Sequence, residues 1–149
     1  MKALAIICSM RLKRLFLFLF SLTAFPIAMT SGNGADIPPN IVLILADDMG
    51  FGEPSHAGGI IPTPHLDRMA KEGMRFTDAH TTSSVCTPTR YGILTGRYNW
   101  RSRLKRGVLF KATDKALMDP KRMNLPNFLQ KAGYHTACVG KWHLGADFE

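Results

Sequence analysis

The chain reads as an α/β protein, a mostly parallel sheet flanked by helices, and three observations carry that reading. A continuous apolar run, Asn40-Ile41-Val42-Leu43-Ile44-Leu45-Ala46, ends at once in Asp47-Asp48-Met49-Gly50. That is the pattern of a strand buried on both faces of a parallel sheet. Helical patterns with proline near their start and glycine at their end follow it. A second short apolar run, Thr136-Ala137-Cys138-Val139, then closes a further helix and strand unit. Strands and helices alternating along one chain is the signature of this fold class.

Each element has its own local justification. Arg11-Leu12-Lys13-Arg14 precedes Leu15 to Met29, an apolar run with four phenylalanines and Pro26. The run is short for a bilayer span and has the basic flank of a secretory signal peptide. Residues 1–34 are therefore expected to be a cleaved leader, with no stable membrane insertion afterwards and a secreted or periplasmic destination. Small residues between Ala28 and Ala35 permit several cleavage points, and Met10 is an alternative start, because residues 1–9 add a second apolar patch. In the mature part, 35–149, the apolar run described above supplies the first strand. Thr63-Pro64 opens a helix with Leu66, Met69 and Ala70 on one face and Gly73 at its end. Met74 to Ala79 reads as a second strand. A helix starts behind Cys86, with Thr87 as N-cap and Pro88 at the first helical position, and runs to about Thr95. Tyr98 to Lys121 is irregular. A helix over Leu125 to Lys131, a stop at Gly133 and the strand Thr136 to Val139 complete the series.

With 149 residues, 46% of them hydrophobic and 20% charged, the composition is that of an ordinary globular domain. The formal charge of +8 is partly the leader's. Four of the 19 basic residues and none of the 11 acidic ones precede residue 35, which leaves 15 against 11, or +4. The remaining basicity concentrates between Arg97 and Arg122, where Asp114 and Asp119 are the acidic residues; it favours anionic partners or is simply a solvated face. Aromatic-interleaved basic platforms and nucleic-acid reading motifs are absent, so no nucleic acid is expected as a partner. Cys8 leaves with the leader. Of the other two cysteines, Cys138 sits in an apolar run expected to be a buried strand, which argues for inert packing rather than a bond to Cys86.

Ligands of open α/β sheets gather at the carboxyl ends of strands. Three groups of residues fall at such places: Asp47-Asp48 after the first strand, Cys86 after the second, and Lys141-Trp142-His143 after the last. Adjacent carboxylates repel unless something positive compensates them, and a hard cation does so, although two carboxylates fill only part of a calcium shell. Cys86 at a helix start meets free N–H groups, and Arg90 adds a fixed cation within about one turn, a suitable place for an anion. Alternation places Lys141 and His143 on one side of an extended segment, with Trp142 on the other. His56, His65, His80 and His135 match no catalytic pattern.

Taken with its extension, Cys86-Thr87-Pro88-Thr89-Arg90 followed by Leu94-Thr95-Gly96 resembles the signature of the formylglycine-dependent sulfatases, C-x-P-x-R-x-x-x-L-T-G, at every fixed position. Asp47-Asp48 and Gly140-Lys141-Trp142-His143-Leu144-Gly145 resemble that family's metal motif and its lysine–histidine motif, in the same order. The resemblance implies an alkaline phosphatase-like fold, truncated here, with 35–149 as the N-terminal part of the catalytic domain. It implies that a formylglycine-generating enzyme oxidises Cys86 to an aldehyde whose hydrate attacks the sulfur of a sulfate ester. It also implies that Asp47, Asp48 and an oxygen on modified Cys86 bind calcium, or occasionally magnesium. By the same resemblance Arg90 and Lys141 offset negative charge around nucleophile and sulfate, while His143 hydrogen-bonds the hydrate and assists turnover. Related enzymes that pair this cysteine motif with phosphorus chemistry keep a phosphonate or phosphodiester hydrolase as the alternative; a non-catalytic fragment binding sulfated glycans through Arg97 to Arg122 is another. The family draws further metal ligands, a leaving-group histidine and a sulfate-binding lysine from sequence that follows these motifs, so the 149-residue chain alone is expected to be inactive.

Overall fold

The computed structural model describes residues 3–9, 38–111 and 113–147. Three strands, β1 (Ala3–Ser9), β2 (Ile41–Ala46) and β3 (His135–Gly140), form one sheet in the order β2-β1-β3. Three helices accompany them: α1 (Pro64–Glu72), α2 (Cys86–Thr95) and α3 (Leu125–Lys131). Strands and helices therefore mix along the chain as the α/β reading requires, but the pairing differs from the expected parallel sheet. β1 is antiparallel to both neighbours. It follows that β2 and β3 run the same way with β1 between them. Most of the leader expected over residues 1–34 lies outside the described residues; Ala3–Ser9 is the described part, and it is the middle strand.

Register explains why this sheet builds a site. Leu4 of β1 faces Leu45 on one side and Gly140 on the other. Both outer strands thus end at the same edge, and Asp47 and Lys141 leave it just beyond. Two strand spacings, roughly 10 Å in all, separate those backbones, and an aspartate and a long lysine stem reaching toward each other close the distance.

Helix limits follow local chemistry. α1 starts at Pro64, whose missing N–H is no loss in a first turn, and stops at Gly73. α2 ends where Gly96 takes a left-handed φ of 64° and donates its N–H to Gly92 O, a conformation that suits glycine. In α3, Asn124 caps the helix, its side chain accepting from Asn127 N at 2.9 Å. The core is small: Tyr91 and Leu94 from α2 meet Leu109, Leu117 and Leu144, with Leu43 of β2 and Leu129 of α3 packed against them.

Four expectations are corrected. Met74 to Ala79 forms no strand, and Met74 and Phe76 are exposed, because an extended segment without a neighbour has nothing to pair its backbone with. β2 is an edge strand of this sheet rather than a strand buried on both faces, with Val42 and Ile44 exposed. Cys138 is exposed, not packed; it and Cys86 are both free thiols. Thr87 is not the N-cap: α2 begins at Cys86 behind Val85, and no side chain caps it.

Asp67 ties the start of α1 to the 3-10 turn Ser55–Ala57. It accepts from Ser55 Oγ at 2.6 Å, His56 N at 2.9 Å and Thr63 Oγ1 at 3.1 Å. The Ser55 hydroxyl, with help from these other donors and against some desolvation, lowers its pKa. A depressed carboxylate stabilises fully above its unfolded pKa and loses that contribution as pH falls through its folded value. In hydrogen-exchange measurements, protection of the His56 amide should persist at neutral pH and fall below about pH 4. Asp67→Asn should expose that amide at neutral pH; unchanged exchange would show that the anchor is not this carboxylate.

Candidate active site

The three sequence motifs converge through charge. Asp47, Asp48, Cys86 and Arg90 line one cavity of about 220 Å³, together with Ser83 and Ser84 from the segment before α2. Arg90 lies one turn into α2 and is 1% exposed. Its Nη2 stands 3.3 Å from Asp47 Oδ1, and its Nη1 donates to the carbonyl of Lys141 at 2.5 Å. Lys141 Nζ in turn donates to Asp47 Oδ2 at 2.5 Å. One carboxylate at the end of β2 therefore holds cations from α2 and from the end of β3. Lys141 is the main reason the Asp47 carboxyl lies below its ordinary range, with Arg90 adding to it and desolvation opposing; Asp47 raises the lysine reciprocally.

Arg90 is not fully satisfied. Its Nε is buried without a partner, and Nη2 faces Asp47 without hydrogen-bond alignment. A buried donor left unpaired costs about 1–3 kcal/mol, so an oxygen anion entering beside Cys86 would be bound partly by relieving that cost. Cys86 is half-buried at the first position of α2, where helix N–H groups are free. This arrangement also suits the helix dipole.

Lys141 and His143 line a neighbouring cavity with Leu109, Phe110 and Trp142. The extended geometry expected for 141–143 is not found: the segment lies beyond β3, and His143 has a φ of 56°. Asp48 shares that left-handed conformation at 60°. His143 Nε2 meets the carbonyl of Leu109 at 2.7 Å, while its Nδ1 is buried without a partner. The loop is held by Leu117 N to Leu144 O at 2.8 Å and Ala146 N to Asp114 O at 3.0 Å. Gly145 permits that approach, since a Cβ there would sit 2.3 Å from Lys115 O. Sequence reasoning missed Leu109 because it acts through backbone atoms, which leave no trace in residue type.

Among the described residues no group of three or more His, Cys, Asp or Glu forms a metal cluster. Asp47 and Asp48 are nonetheless adjacent hard oxygen donors on one cavity wall, a donor set suited to calcium or magnesium rather than to softer metals. Among the described residues, too, no helix is long and apolar enough to cross a membrane.

The site thus combines a cysteine at a helix start, a buried arginine and a carboxylate–lysine pair. The family follows from comparison: residues 39–147 match the sulfatase family model, and the chain belongs to the sulfatase family. It is 44% identical over 108 residues to the N-acetylgalactosamine-6-O-sulfatase of Bacteroides thetaiotaomicron, covering 72% of this chain and 21% of that protein. Human arylsulfatase G is 43% identical over 129 residues, 86% of this chain and 24% of the relative. Bovine arylsulfatase A is 40% identical over 126 residues, 84% and 25% respectively. The chain thus spans about a fifth to a quarter of the curated relatives it matches. No solved structure gives a significant match.

Removing one member of a buried ion network strands the others. Arg90→Met should lower unfolding free energy by about 3–5 kcal/mol, as for breaking a buried pair. Lys141→Met, at a more exposed position, should cost about 1 kcal/mol or less. Chemical denaturation of the two variants checks the order; equal losses would mean that Arg90 does not anchor the network.

Proposed function

We propose that this chain is the amino-terminal part of a secreted or periplasmic sulfatase domain, alkaline phosphatase-like, that hydrolyses a sulfate ester to an alcohol and sulfate. The observation that carries this reading is Cys86 on the first turn of α2, sharing a cavity with Asp47, Asp48 and the underused donors of Arg90. Residues 1–34 act as its signal peptide and 35–149 as the catalytic part; cleavage then removes β1 and leaves the Asp47 carboxylate, through Arg90 and Lys141, to tie the ends of β2 and β3 to α2. Oxidation of Cys86 by a formylglycine-generating enzyme supplies an aldehyde whose hydrate provides an oxygen nucleophile. Asp47, Asp48 and the oxygen at position 86 would hold calcium, or magnesium, which would supply positive charge favouring an ionised nucleophile.

The chain's own residues do the rest. Arg90 presents its free Nε to the anion while its Nη1 fixes the Lys141 peptide. Lys141 places a second positive charge beside Asp47 and, when substrate enters, shares it with the sulfate. His143 offers an unpartnered Nδ1 as acceptor to the hydrated group. The names of the relatives favour a sulfated glycan or a small sulfate ester as substrate.

The test begins with the modification. Full-length protein made with a formylglycine-generating enzyme should yield a tryptic peptide from Phe76 to Arg90 that carries an aldehyde in place of the thiol. It should also turn over an aryl sulfate faster than an aryl phosphate diester. Unmodified cysteine, with the converting enzyme active on a control, would sink the formylglycine step. Preference for the diester would move the assignment to phosphorus chemistry.

A further inference from the structure

We propose that Thr87 is a positioning residue for His143, fixing through the peptide groups of Leu109 which ring nitrogen carries the proton; the catalytic consequence rests on the sulfatase reading, the proton's position does not. Thr87 follows the candidate nucleophile and is 0% exposed. Its Oγ1 accepts the N–H of Leu109 at 3.3 Å. The carbonyl of the same residue receives His143 Nε2 at 2.7 Å. A carbonyl oxygen only accepts, so Nε2 must be the protonated nitrogen, and in the neutral ring Nδ1 keeps its lone pair. That Nδ1 is buried with no partner among the described residues.

Leu109 thus uses its N–H toward one motif and its C=O toward the other, while its side chain is locked in the core at 6% exposed. The bond from Thr87 fixes the peptide on the N side of Leu109, and the buried side chain fixes the residue itself. Together they hold the carbonyl where it meets the ring. The main chain around His143 is held at Lys141 and Leu144, but its ring has no polar partner among the described residues besides the Leu109 carbonyl. Without the hydroxyl at 87, the N side of Leu109 is released, while the peptide that carries the carbonyl keeps its tie from Phe110 N to Asp114 Oδ2 at 3.0 Å on an exposed loop, so the carbonyl can shift and the ring can flip or exchange tautomers. The bare Nδ1 is then present only part of the time.

The experiment compares parent, Thr87→Val and Thr87→Ser in the full-length protein produced with a formylglycine-generating enzyme. Nitrogen NMR of labelled histidine, with His143 assigned by its loss in His143→Gln, reads the tautomer directly. Because Thr87 lies inside the modification motif, aldehyde content is measured by mass spectrometry and rates are expressed per aldehyde. The parent should show a protonated Nε2 and a bare Nδ1. Thr87→Val should show mixed tautomers and a kcat lower by about tenfold, the low end for outer partners of a working imidazole, with KM little changed. Thr87→Ser, which keeps the acceptor, should restore both. A parent spectrum with the proton on Nδ1 would overturn the proposal even if Thr87→Val failed to fold. So would a Thr87→Val protein whose His143 signals and kcat match the parent's. The expected tautomers in a parent that hydrolyses no sulfate ester would support the hydrogen-bond chain and remove the sulfatase reading instead.

Discussion

The carboxylate of Asp47, shared between Arg90 and Lys141, is the interaction on which the rest of this structure depends. It joins the end of β2 and the end of β3, which the sheet brings to one edge, to the first turns of α2, which the sheet does not place there. Taking an arginine out of water is tolerable only with such compensation. The network also settles electrostatic roles before any ligand enters. Asp47 is held below the ordinary carboxylate range chiefly by Lys141 and also by Arg90, and Lys141 is raised in turn by Asp47. Under the proposed function, such a site would bind an anion by redistributing existing hydrogen bonds, not by building new charge.

Much of this was legible in the sequence because the signals are local. Proline and glycine marked α1 from Pro64 to its stop at Gly73, and the motif around Cys86 located α2, whose end at Gly96 follows from a left-handed turn. The apolar runs located β2 and β3 within a residue or two. What the sequence did not reveal was pairing. A strand's partner is decided by contacts far away in the chain, and β1 comes from a segment whose apolar character also suits a leader. The same limitation produced the unformed strand at Met74 to Ala79, where alternation alone is satisfied equally well by an exposed extended loop.

The candidate site divides along similar lines. Cys86, Arg90, Asp47 and Asp48 share a cavity, and Lys141 joins them through Asp47, across 94 positions of sequence. His143 occupies the adjoining cavity, connected through the backbone of Leu109. Motifs identify side chains that do chemistry; they are silent about main-chain atoms from an irregular stretch, which is why the basic segment after Arg97 contributes here through a leucine and not through its charges.

Among the described residues, the two left-handed residues outside glycine, Asp48 and His143, are of kinds that visit that conformation more readily than most, and both stand in the motifs. Their identities therefore satisfy two demands at once, one from the ligand and one from the main chain. Neutral drift at either position is correspondingly narrow. A glutamate at 48 would keep the charge but lose the short side chain that eases the turn, and a glycine would ease the turn but lose the charge. Lineages in which the chemistry has lapsed would be expected to drift first toward asparagine or glycine at these positions, so that the backbone's preference would outlive the site it once served.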